Sequence, residues 1–228
     1  MRDPLGRSDL DALGQLDTPT VVNAVEPFNV RGNTEGYMGW DIRCLFPELG
    51  VMVGYAVTAT LDTMTQGKAR SLEPLYRLLE AVRDSPHPAV LVLKDIGPRP
   101  HHGCHFGDEI ANMCLKLGAV GLVTDGGVRD IDAVRKLGFH YFARGMVAGH
   151  GNFAFVDTQV TVEVSGLVVN PGDLIHADVN GVASVPLEIA PQVIEGAQAL
   201  RRREAKNMAW TNSDDFSVDA LRERGLGQ

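Results

Sequence analysis

Apolar runs at 51–60, 89–94 and 119–124 alternate with helical periodicity at 72–83 and 108–117, which predicts strand, helix, strand, helix, strand and an α/β domain. After Gly145 the pattern changes to short β-rich runs at 159–164, 166–169, 174–176 and 182–185, with Asn170-Pro171-Gly172-Asp173 as a turn between strands. A last helix is expected over 187–206, followed by a polar tail, 207–228, that needs a partner surface to order it. At the other end, an arm containing Pro4 and Gly6 leads to a short helix over 10–16. Thr18-Pro19 then opens a second helix, with Thr18 as N-cap and Pro19 at the first helical position. The stretch 29–50, rich in Gly, Pro, Asn and aromatic residues, reads as a long ordered loop placed to cover a site.

The 228 residues suffice for one domain with a substantial core. A net charge of -8 and no basic run longer than Arg201-Arg202-Arg203 argue against a nucleic-acid partner. Cys44, Cys104 and Cys114 form no pairing pattern, the first residues lack the layout of a leader, and no apolar run approaches membrane-spanning length. A reducing cytoplasm is the expected location.

The chemistry concentrates in two places. Gly107-Asp108 opens one helix, and Arg129-Asp130 follows twenty residues later, after Thr124-Asp125-Gly126-Gly127-Val128. A helix of about ten residues rises roughly 15 Å, and a returning strand of five or six covers roughly 17–20 Å, so both places fall at one edge of the fold. Asp125-Gly126-Gly127 is expected to form a tight turn whose glycines allow positive φ or a close ligand, with Arg129 and Asp130 in the first turn of the next helix. Two helix N-termini favour an anion. Two carboxylates can hold a hard divalent cation through oxygen while the guanidinium stabilises a developing enolate. The alternative is a surface pair in which Asp130 only caps its helix.

Other residues suggest weaker chemistry. His101, His102, Cys104 and His105 carry soft-metal donors, but their crowding within five residues is not the paired spacing of a structural zinc site. They read as a loop, with His105 nearest the substrate. Lys94 ends an apolar strand, where it is either a Schiff-base nucleophile or a solvated cap. Asp173 and Asp178 suit turn and loop roles, and Asn23 and Arg31 structural ones.

Beyond these residues, Gly121-Leu-Val-Thr-Asp-Gly-Gly-Val-Arg-Asp130 resembles the signature of the RraA-like family, which includes 4-hydroxy-4-methyl-2-oxoglutarate/4-carboxy-4-hydroxy-2-oxoadipate aldolases. Thr18-Pro-Thr-Val-Val-Asn-Ala-Val25, Gly54-Tyr-Ala-Val-Thr58, Tyr141-Phe-Ala-Arg-Gly145, Pro171-Gly-Asp-Leu-Ile-His-Ala-Asp178 and Gly181-Val-Ala-Ser-Val-Pro186 extend the likeness from about residue 17 to 186. The resemblance implies a β/β/α layered domain of the swivelling type over 18–190, after an arm over 1–17. A C-terminal helix and tail over 191–228 would pack on a neighbouring subunit of a homotrimer or homohexamer with sites at the interfaces. It implies Mg2+ or Mn2+ bound directly by Asp130 and through water by Asp108, with Arg129 on the keto oxygen of a 2-oxo acid. Backbone N–H groups near Gly107, Glu109 and Ile110 would take its carboxylate, with His105 beside it. A glutamate from a neighbour's C-terminal region, Glu195 or Glu204, is also implied. Other members of the family regulate a ribonuclease by binding and lack the full acidic set, which this chain keeps.

Overall fold

The computed structural model describes residues 5–65 and 71–225; the first four residues of the arm and the last three of the tail lie outside them. In chain order the elements are α1 (Arg7–Leu13), α2 (Thr18–Val25), β1 (Arg43–Cys44), β2 (Met52–Asp62), α3 (Glu73–Asp84), β3 (Ala89–Asp95), β4 (Cys104–Phe106) and α4 (Asp108–Lys116). There follow β5 (Ala119–Val128), α5 (Ile131–Leu137), β6 (His140–Met146), β7 (Ala154–Thr158), β8 (Val162–Val164), β9 (Leu167–Val169), β10 (Leu174–Asp178), β11 (Gly181–Val185), α6 (Ala190–Thr211) and α7 (Val218–Arg224).

One sheet runs in the order β1-β6-β5-β3-β2-β10-β11, with β4 beside β5 and β7 beside β2. Strands β2, β3, β5 and β6 are parallel, and β10 and β11 close one side antiparallel. The separate hairpin β8-β9 lies on one face, where Val162, Val164, Leu167 and Val169 pack on Val90, Val92, Val123, Phe142 and Ile175. Helices α3, α4 and α5 cover the other face, burying Leu78, Val82, Ala111, Cys114 and Val134 against Ala89, Leu91, Leu93 and Leu122. The expected β/β/α layering is therefore the observed one. The alternation along Ala89-Val90-Leu91-Val92-Leu93 shows why this strand is apolar throughout: each side chain has a layer to enter. Burying each of the larger ones contributes about 1.5–3 kcal/mol.

A third core joins α1, α2 and α6 to Val53, Tyr55, Leu174 and Val185. It is tied by polar contacts to β10. Thr18 donates from its backbone N to Asp178 Oδ2 at 3.0 Å, its Oγ1 meets His176 Nδ1 at 2.9 Å, and His176 Nε2 meets Leu13 O at 3.1 Å. The N-cap of α2 is Asp17 rather than Thr18, and its Oδ1 accepts Thr20 N at 2.9 Å. Of two adjacent capping residue types, the carboxylate nearer the arm took the role.

Two further segments take form. The loop at 29–50 ties the sheet edges together: Tyr37 bridges Ala183 on β11, and β1 pairs with β6. Over the described residues the tail is helical. Helix α6 continues to Thr211, and α7 folds back so that Phe216 meets the Trp210 ring edge-on at 5.2 Å and Arg224 lies over it at 4.5 Å. The aromatic pair and the cation–π contact supply the surface that the tail's polarity concealed. No helix among the described residues is long and apolar enough to cross a membrane.

Burial holds three imidazoles below their ordinary pKa: His105, brought down to about 3, and His140 and His176. A histidine whose folded pKa is depressed binds fewer protons folded than unfolded, so its contribution is intact above about 6.5 and is lost as pH falls below that value. For His105 alone the loss at pH 5 is about 2 kcal/mol. Urea unfolding at pH 7.5 and pH 5 should show a stability drop of at least that size, and a flat profile would contradict the neutral, buried assignment.

Candidate active site

Parallel strands β3, β5 and β6 end on the same side of the sheet, the usual place for a ligand in α/β proteins. Strand β5 overruns its partner. Its register with β3 stops at Thr124, and its last residues pair instead with β4, Cys104 opposite Gly127 and Phe106 opposite Val128. Arg129 N donates to Phe106 O at 3.1 Å, closing this short ladder. Two chain segments thus leave the ladder together, Gly107-Asp108 into α4 and Arg129-Asp130 into α5.

Asp125-Gly126-Gly127 is consequently strand, not turn, and neither glycine has positive φ. Each glycine is required by a close neighbour. A Cβ on Gly126 would stand 2.6 Å from His105 Cε1, and one on Gly127 would stand 2.8 Å from Gly103 O. Asp125 is buried, accepting Lys94 Nζ at 2.6 Å and Asp95 N at 2.9 Å. Lys94 is therefore an ion-paired, half-buried residue rather than a solvated strand cap.

Arg129 and Asp130 precede α5 instead of lying in its first turn; Asp130 is its N-cap, with φ 57° and ψ 39°. That left-handed conformation costs an L-residue about 1–2 kcal/mol, although aspartate tolerates it better than most. It aims the carboxylate back across the ladder. Asp130 Oδ2 lies 3.3 Å from Asp108 N and 3.3 Å from Arg129 Nε. A Cβ on Gly107 would sit 2.3 Å from that oxygen, so glycine is needed before Asp108.

Asp108, Arg129 and Asp130 line one cavity of about 540 Å³, with Gly107, Glu109 and Ile110 at the start of α4. Asp108 Oδ1 accepts Glu109 N at 2.8 Å, so this amide is already engaged by its neighbour. His105 lies against the same cavity with its ring buried. Nε2 is 3.3 Å from Thr124 Oγ1, Nδ1 has no partner among the described residues, and burial keeps the ring neutral. Beneath it, burial pushes the Tyr141 hydroxyl well above its usual range, reinforced by nearby Cys104, Asp130 and Asp108. Burial also raises the thiol pKa of Cys104, whose Sγ donates to Phe106 O at 3.2 Å.

Sequence reasoning missed His150 and Phe153, which complete the cavity from the loop after β6. No spacing marks them. The only sequence cue is that their loop leaves the same sheet edge as Arg129. Other candidates lie elsewhere. His101 stands beside Arg144, Arg31 donates to Ser184 Oγ, Asn23 is exposed on α2, and Asp173 accepts Asn170 N in its turn. Glu195 and Glu204 are exposed on α6 and do not line the cavity of their own chain.

A family profile described as "RraA-like: Aldolase/RraA" matches residues 9–183, which takes in every element of the site. The chain belongs to the RraA-like family. Among RraA-like relatives, a Halalkalibacterium halodurans protein named "Putative 4-hydroxy-4-methyl-2-oxoglutarate aldolase" is 32% identical over 117 residues, covering 51% of this chain and 54% of its own length. A Methanocaldococcus jannaschii protein is 36% identical over 99 residues, 42% of this chain and 48% of its own. The chain thus spans about half the length of these curated relatives. Among solved structures, a Pseudomonas syringae protein superimposes with TM-score 0.76 at 24% identity, covering 98% of this chain and 97% of that one. Streptomyces coelicolor RraAS2, described as an unusual member of the RNase ES inhibitor RraA family, gives 0.73 at 21% identity, covering 90% and 99%. These two likenesses establish the RraA-like fold.

The left-handed Asp130 gives a test that is independent of activity. Asp130→Gly should be at least as stable as the parent, and Asp130→Ala less stable than Asp130→Gly by about 1 kcal/mol in denaturant unfolding. Equal stability of the two variants would show that no strain is held there.

Proposed function

We propose that this chain is a divalent-metal-dependent lyase that breaks a carbon–carbon bond of a small 2-oxo acid and yields pyruvate. The observation that carries the reading is the meeting of Asp108, Arg129 and Asp130 in one cavity at the start of α4. The aldolase names of relatives such as the H. halodurans protein support it.

The donor set fits Mg2+ or Mn2+. Among the described residues no group of three or more His, Cys, Asp or Glu side chains could hold a metal. Asp108 and Asp130 offer carboxylate oxygen, the donor that suits a hard ion keeping most of its water. Asp130 would bind it directly and Asp108 through water. When bound, the ion would supply positive charge opposite the developing enolate oxygen.

The chain's own residues divide the remaining work. The start of α4, at Gly107 and Ile110, offers the positive end of the helix to the substrate carboxylate, while the Glu109 N–H expected to share that work is held by Asp108 Oδ1. Arg129 donates to the keto oxygen, where charge grows as the bond breaks. With Oδ1 held by Glu109 N, Asp108 Oδ2 is the atom left to take a proton. In a retro-aldol reaction it removes the C4 hydroxyl proton through water; the C3–C4 bond breaks, its electrons form the enolate, and the proton returns to C3. In oxaloacetate the same electron movement releases carbon dioxide. His105 lies against the cavity as a neutral wall, and His150 and Phe153 border it on the side of the loop after β6. Assembly as a trimer or hexamer, with a neighbour's glutamate at the cavity, belongs to this proposal. So does a reducing, intracellular setting.

Pyruvate release coupled to lactate dehydrogenase, with oxaloacetate and 4-hydroxy-2-oxo acids, tests the reading. Activity should require Mg2+ or Mn2+ and vanish with chelator. Asp130→Ala should lose at least about a thousandfold in kcat/KM and Arg129→Lys about a hundredfold. Metal-independent turnover, or none on any of these substrates, would contradict it; in the latter case a non-catalytic regulator that binds a ribonuclease or another protein becomes the better reading.

A further inference from the structure

On the other side of the β5 overrun lies a second cavity of about 430 Å³, lined by Trp40, Asp41, Arg43, His101, Asp125, Gly126, Gly127, Arg144 and Gly145, with Met146 and Val147. It shares no lining residue with the first. The stretch at 29–50 thus borders this cavity and not the candidate active site.

Its lining carries two aspartates and two arginines. Both carboxylates are already satisfied: Asp125 by Lys94 and Asp95 N, and Asp41 by Arg144 Nε at 2.6 Å and by Ser165 Oγ. Arg43, by contrast, forms no ion pair among the described residues; its guanidinium carbon sits 5.3 Å from the centre of the Trp40 ring. Trp40 is 81% exposed, the most exposed large apolar side chain among the described residues. The Nη1 of Arg144 is 3.5 Å from both ring nitrogens of His101, which places the guanidinium over the imidazole face rather than in line with a lone pair. On the floor, a Cβ on Gly145 would meet nothing within 4 Å, so there is open space above the backbone.

We propose that this second cavity binds a small anion carried on a flat ring, with the ring on Trp40 and the negative group between Arg43 and Arg144. An indole face and guanidinium edges together favour such a ligand over a bare anion or an uncharged ring. The volume suits one molecule of drug-like size. An aromatic carboxylate and a nucleoside monophosphate share this chemistry. The proposal does not depend on the lyase reading, because binding is measured directly.

Trp210 is replaced by Phe so that Trp40 is the sole indole, and fluorescence is titrated with benzoate, AMP, adenosine and orthophosphate. Saturable quenching by benzoate or AMP, in the micromolar to low-millimolar range, is expected, with adenosine and orthophosphate at least about tenfold weaker. Binding by one of the two rings alone supports the site and names its source. Gly145→Val, which fills open space on a strand at a position without positive φ, should abolish quenching, and the surface variant Arg43→Gln should weaken it about tenfold. The proposal is overturned by no saturable change up to about 10 mM, by orthophosphate binding as tightly as AMP, or by quenching that survives both variants. It is equally overturned if Trp40 of the ligand-free protein is shielded from acrylamide, which would mean that a second copy covers it.

Discussion

The site depends on one short parallel ladder. Strand β5 runs past β3, and its final residues pair with β4 through Cys104 opposite Gly127 and Phe106 opposite Val128, with Arg129 N bonded to Phe106 O. Without that pairing, residues twenty positions apart would leave the sheet at unrelated points. With it, two helices start side by side, and Asp130 Oδ2 lies 3.3 Å from both Asp108 N and Arg129 Nε.

The surrounding sequence is shaped by the closeness this ladder imposes. Gly107, Gly126 and Gly127 each stand where a Cβ would press against Asp130, His105 or the Gly103 carbonyl. Asp130 adopts a left-handed conformation to turn its carboxylate toward Asp108. These costs are of the order of a kcal/mol each. They are borne by a sheet whose central strands bury side chains on both faces, under the β8-β9 hairpin on one side and α3 to α5 on the other. A site held between strand ends and helix starts can keep charged groups at fixed separations because the layers beneath it are close-packed.

Much of this was legible in the sequence, for physical reasons that differ by element. The runs that became β2 and β3, and the periodicity of α3 and α4, survive because burial on one or two faces writes itself directly into the pattern. The layering and the roles expected of Asp108, Arg129 and Asp130 came from resemblance, and the meeting of the three from spacing. What stayed hidden was the ladder itself. Strand β4 is three residues long inside a histidine-rich stretch, and Gly126-Gly127 reads as a turn unless the neighbours that exclude a side chain are known. The fold-back of α7 on Trp210 was hidden because one aromatic contact and one cation–π contact leave no periodic pattern in a polar stretch. His150 and Phe153 carry no local signal at all, since only the sheet edge brings their loop to the cavity.

The most direct test of the central claim is a crystal structure with Mn2+ and oxalate, which mimics the pyruvate enolate. The account predicts Mn2+ bonded to Asp130 with a water shared by Asp108, and oxalate lying between Arg129 and the first amides of α4. Manganese settled instead on other carboxylates, or oxalate bound away from Arg129, would contradict it.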